Sequence, residues 1–480
     1  MNRLPPETLS RIARFVGEHA TDARPIIPLT HVCRYWRESI VSTPGNWTLI
    51  SNEWIRLMEL SLGRCQAAPL ELQLSMAQIE EIPRFTALIT PYMKNMESLI
   101  ISNLSTIGRL VQALPNFPQS MPNLRILSLS INPSVDRLED VSADGPLGGP
   151  TPALTHLSLF FVPLYPSLQH LTTLTNLTLR HHEFDLHIHT LLDFLEANRA
   201  LEYADLGVVF ARPALWDSRR QVGIVNRLKI LTICSTNAAE INALISRMPL
   251  QKGAHLQIIL CDKHAGLSEV LSGISVTHLS NLQSPTSMEY HPDHRRIQLV
   301  GPNGGFKFWF NCVPHRKLLF VEFPLLQLTS IKTFRLVRRA PGPMKPHTNL
   351  PQMTFPLLAL RALETLAIEH EVAVPHLLSA LFADPSVSPS LKTLAFLNCH
   401  LDGACMEALT KFASDRKNTT SAWLYRVVIV SSGRALPNFV SVDALGEHVP
   451  VVNVQMGKKL PADLFEPTVG GLACAVQIIS

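Results

Sequence analysis

One phrase, L-x-x-L-x-L, recurs along the chain and limits what the chain can become. It stands at Leu124-Leu127-Leu129, Leu154-Leu157-Leu159 and Leu174-Leu177-Leu179. Looser copies follow at Leu201-Ala204-Leu206, Leu228-Leu231-Ile233, Ile331-Phe334-Leu336, Leu363-Leu366-Ile368 and Leu391-Leu394-Phe396, and Met96-Leu99-Ile101 begins the series. Apolar residues two apart share one face of a strand, so each L-x-L predicts a short strand with one buried side. A single unit of this kind cannot bury that side alone. The units must stack on one another.

Intervals of mostly about 20 to 32 residues fall in the range of a leucine-rich solenoid. The fold class expected is therefore α/β: an irregular leucine-rich-repeat solenoid over residues 96–480, with a curved parallel sheet and a helical or irregular outer wall. "HTLLDFLEANRA" and "AAEINALISRMP" read as outer-wall helices. The Asn or Cys that follows the leucines in such repeats is met by Asn132 and Cys399 but is His182 in the third repeat, so no continuous asparagine ladder is expected. The rhythm lapses from Leu279 to Phe334. Inside that gap "RRIQLVGPNGGFKFWF" places two strand-like runs around Pro-Asn-Gly-Gly, which predicts a hairpin insertion near 282–312. "INPSVDRLEDVSADGPLGGPTP" reads as a polar loop, "HVPVVNVQMGKKLP" as a final edge strand and turn, and residues 51–95 as a linker and the solenoid start.

Composition agrees with a large core. Apolar residues make up 46% and charged ones 17%, against a usual quarter charged. The net charge is +4, and basic pairs such as Arg219-Arg220, Arg295-Arg296 and Arg338-Arg339 lie far apart. Without a stripe of Lys and Arg, no nucleic-acid partner is expected. Eight cysteines with no C-x-x-C pair predict reduced, mostly buried thiols. No apolar signal core opens the chain and no membrane-length apolar run occurs, so neither secretion nor membrane spanning is expected. The sequons at Asn46, Asn103, Asn176 and Asn418 then read as chance, and the expected compartment is cytoplasmic and/or nuclear.

No G-x-S-x-G, phosphate-binding loop, G-x-G-x-x-G or H-E-x-x-H occurs. "HHEFDLHIH" gathers His181, His182, His187 and His189, types that bind zinc or copper, but a polar loop between strand and helix explains it as well. "CHLDGAC" (Cys399, His400, Cys405) reads as structural thiols, and His291, Asp293 and His294 as loop residues. A non-enzyme is expected, with no catalytic residue, metal or cofactor.

The first fifty residues follow another rhythm. Pro5 and Pro6 suit a helix start, and Leu9, Ile12, Ala13 and Val16 form one stripe ending at Gly17. Leu29, Val32, Cys33, Trp36 and Ile40 predict a second apolar face, closed by Pro44 and Trp47. So small a unit is marginal alone. Its remaining apolar face must be covered by the rest of the chain or by another protein.

"LPPETLSRIARFV … IPLTHVCRYWRESIVSTPGNW" resembles an F-box over roughly residues 3 to 50, with its Leu-Pro-x-Glu opening, Val-Cys-x-x-Trp centre and Pro-x-x-Trp end. The loop "GEHATDARPIIP" departs from the family's usual leucine-rich lead-in. The plan of an F-box at 1–50 followed by irregular repeats is similar to F-box proteins of mushroom-forming fungi. The resemblance implies a non-catalytic substrate-recognition subunit of a Skp1–cullin–F-box (SCF-type) E3 ubiquitin ligase. It would bind Skp1 and, through it, a cullin–RING ligase. By position the Skp1-binding residues would be Leu4, Pro5, Leu9, Ile12, Leu29, Val32, Cys33, Trp36, Ile40 and Trp47. Strand alternation turns His156, Phe160, Asn176, Arg180 and Glu369 away from the leucines, which makes them the candidates for binding an unknown target protein. The rivals are a Skp1-binding or scaffold protein without a role in ubiquitination, and an enzyme that uses the histidine cluster.

Overall fold

The structure is a computed structural model of the chain. It describes residues 4–17, 23–75, 87–104, 121–131, 153–162, 164, 171–182, 188–208, 227–235, 237–248, 250–251, 253–261, 267–272, 274, 279, 284–291, 296–302, 307–312, 328–337, 360–369, 374, 381, 388–399, 401–419, 423–431, 439–456 and 475–479. It is mixed α/β and divides into two compact units, Met1–Thr232 and Ile233–Ser480.

The first unit opens with α1 (Pro6–Gly17), which buries Leu9 and Ala13 completely. The second apolar face is not one helix. Leu29 sits in a 3-10 turn (Pro28–His31), Cys33 is extended at φ −161° and ψ 171°, and α2 runs only from Arg34 to Val41. Val32 and Cys33 are therefore exposed, and only Trp36 and Ile40 belong to α2. Proline at 28 favours the tight turn, because its ring fixes φ and supplies no donor for a longer helix.

Of residues 51–95, expected as a linker and the solenoid start, 51–75 and 87–95 are described. β1 (Leu49–Ser51), α3 (Ile55–Cys65) and β2 (Leu70–Ser75) form a strand–helix–strand unit in which Ile50 faces Leu72 across a parallel pair. A boundary at residue 50 thus falls inside β1. Trp47 is 1% exposed and lies beneath the Arg64 guanidinium of α3, 4.4 Å from the ring centroid. The carbonyl of Ile40 accepts bonds from Trp47 Nε1 (3.1 Å) and Asn46 Nδ2 (3.2 Å). The rest of the chain supplies part of the cover that the N-terminal helices need.

β3 (Met96–Leu104), β4 (Ile126–Ile131), β5 (His156–Phe160), β6 (Asn176–His182) and β7 (Tyr203–Val208) continue the parallel ladder from β2. Its register aligns the repeats as the leucines do. Leu127, Leu157, Leu177 and Ala204 form one buried column, and Leu129, Leu159, Leu179 and Leu206 form the next. Beyond β5 the chain turns at Phe161, whose φ is 57° and whose N–H bonds the Arg180 carbonyl at 2.9 Å. A non-glycine residue seldom adopts that conformation. α4 (Ile188–Ala197) ends at the fully buried Asn198. That side chain accepts from Leu174 N at 3.2 Å and donates to Phe194 O at 2.8 Å, so it joins the helix end to the segment that leads into β6, the strand before the helix.

β8 (Ile230–Ser235) straddles the division between the units. The second unit continues through α5 (Ala238–Ile245), capped by Asn237 Oδ1, which accepts from Ala239 N at 2.9 Å. β9 (His255–Leu260) and α6 (Leu267–Leu271) follow. Next come β10 (Ser287–His291), β11 (Arg296–Val300) and β12 (Lys307–Cys312). The expected hairpin is β11–β12, yet it is no insertion beside the sheet. β10, β11 and β12 form an antiparallel meander within it, with β12 parallel to β9 and β10 parallel to β13 (Thr333–Val337). The turn residues 303–306 and most of the predicted loop at 131–152 lie outside the described residues.

β14 (Thr365–Glu369), β15 (Thr393–Leu397), α7 (Gly403–Thr419), β16 (Arg426–Ser431), α8 (Phe439–Gly446), β17 (Val451–Met456) and β18 (Ala475–Ile479) complete the unit, all strands from β13 onward being parallel. The expected edge strand, β17, has β18 beyond it. Asn398 repeats the Phe161 turn, at φ 55° with its N–H on the Val430 carbonyl at 2.7 Å.

Leu179→Ala is expected to cost about 2–5 kcal/mol of stability, because it leaves a hole in a closed column. Thr178→Ala, one residue away on the opposite face, is expected to cost about 1 kcal/mol or less. Urea unfolding of the full chain measures both, and equal losses would invalidate the assignment of faces.

Candidate functional site

The face opposite the leucines is where side chains are left over after the core is built. In the first unit it carries three rows across β4–β7. One runs Ile126, His156, Asn176, Tyr203; the next Ser128, Ser158, Thr178, Asp205; the third Ser130, Phe160, Arg180, Gly207. His156, Phe160, Asn176 and Arg180 are all half-buried on this face, as strand alternation predicts. Tyr203 and Ile126, which the sequence reading passed over, are exposed in the row of His156 and Asn176. The alignment that named His156 and Asn176 reaches both of them.

Arg180 is held in place. Its Nε and Nη2 donate to Asp205 Oδ2 at 2.9 and 2.5 Å, and a Cβ added to Gly207 would come within 3.3 Å of Arg180 Cα and Cγ. The missing side chain at 207 is what lets the arginine lie across β7 toward Asp205. A two-bond arginine–carboxylate pair fixes the orientation of both groups. The middle row holds the short hydroxyls Ser128, Ser158 and Thr178 and then Asp205, with Tyr203 in the row on one side and Phe160 and Arg180 in the row on the other. Aromatic residues and arginine are the types enriched where interfaces gain most affinity.

In the second unit this face differs along its length. On β10–β14, Arg335 bridges two carboxylates, with Nη2 2.5 Å from Glu369 Oε2 and Nη1 3.6 Å from Glu289 Oε2. Glu289 Oε1 also lies 2.5 Å from His291 Nε2. Glu369 thus belongs to an ion network in the second unit, whereas His156, Phe160, Asn176 and Arg180 belong to the first. From β14 to β16 the middle of the same face is apolar and closed: Ala367, Ala395 and Val428 are 0% exposed, Leu397 2% and Val430 3%. Thr365, Glu369 and Thr393 at its margins are half-buried.

The Skp1-binding residues expected from the sequence fall into three groups. Leu9, Ile40 and Trp47 are buried among the N-terminal helices and cannot themselves touch a partner. Ile12, Leu29 and Trp36 are half-buried. Leu4, Pro5, Val32 and Cys33 are exposed, and with them Phe15 and Val16, of which Phe15 was missed. Helical periodicity marks a stripe but not which side a neighbouring turn will cover.

The metal and thiol candidates resolve differently. His187, Asp293, His294 and His400 lie outside the described residues, as do the side chains of His181 and His182. Among the described residues no cluster of three or more His, Cys, Asp or Glu is arranged to hold a metal ion. Cys399 Sγ donates to the Ile368 carbonyl at 3.3 Å, and Cys405 N bonds Asp402 Oδ1 at 2.8 Å, so "CHLDGAC" is a strand end and a helix cap. Burial, assisted by a hydrogen bond with Asp402, pushes the Cys405 thiol up to about 11. The thiols are not mostly buried, however. Of the six described, Cys65 and Cys405 are buried, Cys234 and Cys399 partly so, and Cys33 and Cys261 exposed.

Among the described residues no helix is long and apolar enough to cross a membrane. No protein-family model matches the chain, and no curated protein matches it. Among solved structures, the chain is similar to LegL7, a leucine-rich repeat-containing protein from Legionella pneumophila. The two share 12% identity over 81% of this chain and 90% of that one, with a TM-score of 0.23. A score that low establishes no common fold.

A thiol titrating near 11 is almost wholly protonated at pH 8, and only the thiolate reacts. Cys405, buried as well as protonated, is therefore expected to alkylate much more slowly than the exposed Cys33 or Cys261 at that pH. Peptide mapping after timed iodoacetamide treatment checks this, and comparable rates would show that the Cys405 site is open.

Proposed function

We propose that the chain is the substrate-recognition subunit of a Skp1–cullin–F-box ubiquitin ligase. Its N-terminal helices dock on Skp1, and the face of β4–β7 carrying Phe160 and Arg180 holds a target protein. The subunit contributes no catalytic group. It raises the concentration of the target around the ubiquitin-charged enzyme, and proximity alone can supply a large rate factor.

The observation that carries the reading is the division of apolar residues in the N-terminal helices. Leu9, Ala13, Ile40 and Trp47 are closed at 0 to 1% exposure, yet Leu4, Phe15, Val16 and Val32 stay open at 42, 76, 39 and 59%. Small soluble units rarely leave that much apolar side chain uncovered without a partner for it. The F-box resemblance of the same residues names that partner. Direct contacts fall to Leu4, Pro5, Val32 and Cys33, with Ile12, Leu29 and Trp36 at their margin, while Leu9, Ile40 and Trp47 hold the helices from beneath.

Calorimetry of the full chain with purified Skp1 tests the docking. Trp36→Ala is expected to weaken binding about thirtyfold, the equivalent of roughly 2 kcal/mol at an interface anchor. Val32→Asp is expected to do the same without disturbing the fold, because Val32 is exposed. Unchanged affinity in both folded variants would remove the docking reading. Affinity purification under proteasome inhibition tests the rest: wild type should bring down a cullin and ubiquitinated proteins. A Phe160→Ala, Arg180→Gln double variant should keep the cullin and lose the targets. Skp1 without cullin would mean a scaffold role instead.

A further inference from the structure

We propose that Cys234 and Cys261 are a two-thiol redox site that closes to a cross-strand disulfide by exchange with a low-molecular-weight disulfide. The site is independent of Skp1 docking and of target binding, and it lies within the second unit.

Their sulfurs are 3.7 Å apart, on neighbouring strands. The Cys261 N–H bonds the Ser235 carbonyl at 2.8 Å, which ties the end of β9 directly to the residue after Cys234. Alternation places both thiols on one side. In β8, Leu231, Ile233 and Ser235 are buried and Cys234 is not; in β9, Leu256, Ile258 and Leu260 are buried, and Cys261 follows on the opposite face. A disulfide requires about 2.05 Å between sulfurs, so about 1.7 Å remains to be closed.

The two thiols also differ in access, as an exchange site requires. Cys261 is exposed and Cys234 only partly so. Other described cysteines are placed otherwise: Cys65 and Cys405 are buried, and Cys399 is engaged by the Ile368 carbonyl. In the reaction the Cys261 thiolate attacks one sulfur of a small disulfide such as oxidised glutathione. That S–S bond breaks, one small thiol leaves, and a mixed disulfide remains on Cys261. The Cys234 thiolate then attacks Cys261 Sγ, forming the protein disulfide and expelling the second small thiol. Two electrons and two protons pass from the protein dithiol to the small disulfide, which ends as two thiols.

The test equilibrates full-length protein with mixtures of reduced and oxidised glutathione, quenches it with an alkylating agent, and maps unreduced peptides by mass spectrometry. The expected product is a monomer lighter by two hydrogens, with the Cys234 and Cys261 peptides joined, reversed by dithiothreitol, and with a midpoint independent of protein concentration. In Cys234→Ser the mixed disulfide on Cys261 should form and persist unresolved; in Cys261→Ser the link should vanish. The wild-type map decides the matter without relying on either variant to fold. If wild-type Cys261 stays glutathionylated, links two chains, or remains a thiol at every ratio, the proposal is overturned.

Discussion

Everything in this chain hangs from the columns of inward leucines. Leu127, Leu157 and Leu177 stack in register, as do Leu129, Leu159 and Leu179, each essentially closed to solvent. Removing that apolar surface from water is the dominant gain, and it is obtained only when successive strands share a phase. A slip of one residue would turn every leucine outward. The intervals between strands are free to vary, because the phase is set by the strand and not by the connection. That is why the repeats are irregular in length and regular in register.

The same constraint decides which side chains stay open to solvent. Once alternate residues are committed to the leucine side, the other face is whatever the remaining positions supply. On β4–β7 these are hydroxyls, His156, Asn176, Phe160 and the fixed Arg180–Asp205 pair, which stay partly open. On β14–β16 the central ones are Ala367, Ala395, Leu397, Val428 and Val430, which are closed. Identical backbone arrangements therefore give one surface suited to recognition and another that is a second core. An account that treated the whole face as a binding surface would be wrong for the middle of β14–β16.

The leucine strands were legible because a period of two is a direct statement about which side is buried. The meander was half legible. "RRIQLVGPNGGFKFWF" announces β11 and β12, but nothing local says that β12 will lie beside β9, or that β10 will lead back into the parallel ladder at β13. Pairing partners distant in sequence are chosen by the sheet. The N-terminal region failed in another way. Leu9, Ile12, Ala13 and Val16 do mark a stripe, but the stripe does not say that Trp47 and Arg64 will close over part of the region. Nor does spacing alone anticipate that the backbone straightens at Cys33 after the Pro28 turn. The arginine networks were illegible for a related reason. Arg335 bonds Glu369 from a neighbouring strand 34 positions away, a separation that only the fold brings to contact.

The joint between the N-terminal helices and the first strands completes the picture of how the two ends of the first unit cooperate. Ile40 holds Asn46 and Trp47, Arg64 covers Trp47, the Thr48 carbonyl accepts from Glu71 N at 3.0 Å, and β1 then enters the sheet beside β2. No free linker intervenes from Arg34 to β2, since every stretch between is bonded or packed. A protein grasping Leu4 or Val32 would therefore be held at a fixed place relative to β1 and β2, not at the end of a tether. If the proposed ligase role holds, this would matter more than affinity at either end. Effective concentration falls as a connection loosens, so a rigid joint is the arrangement that the proposed role would call for.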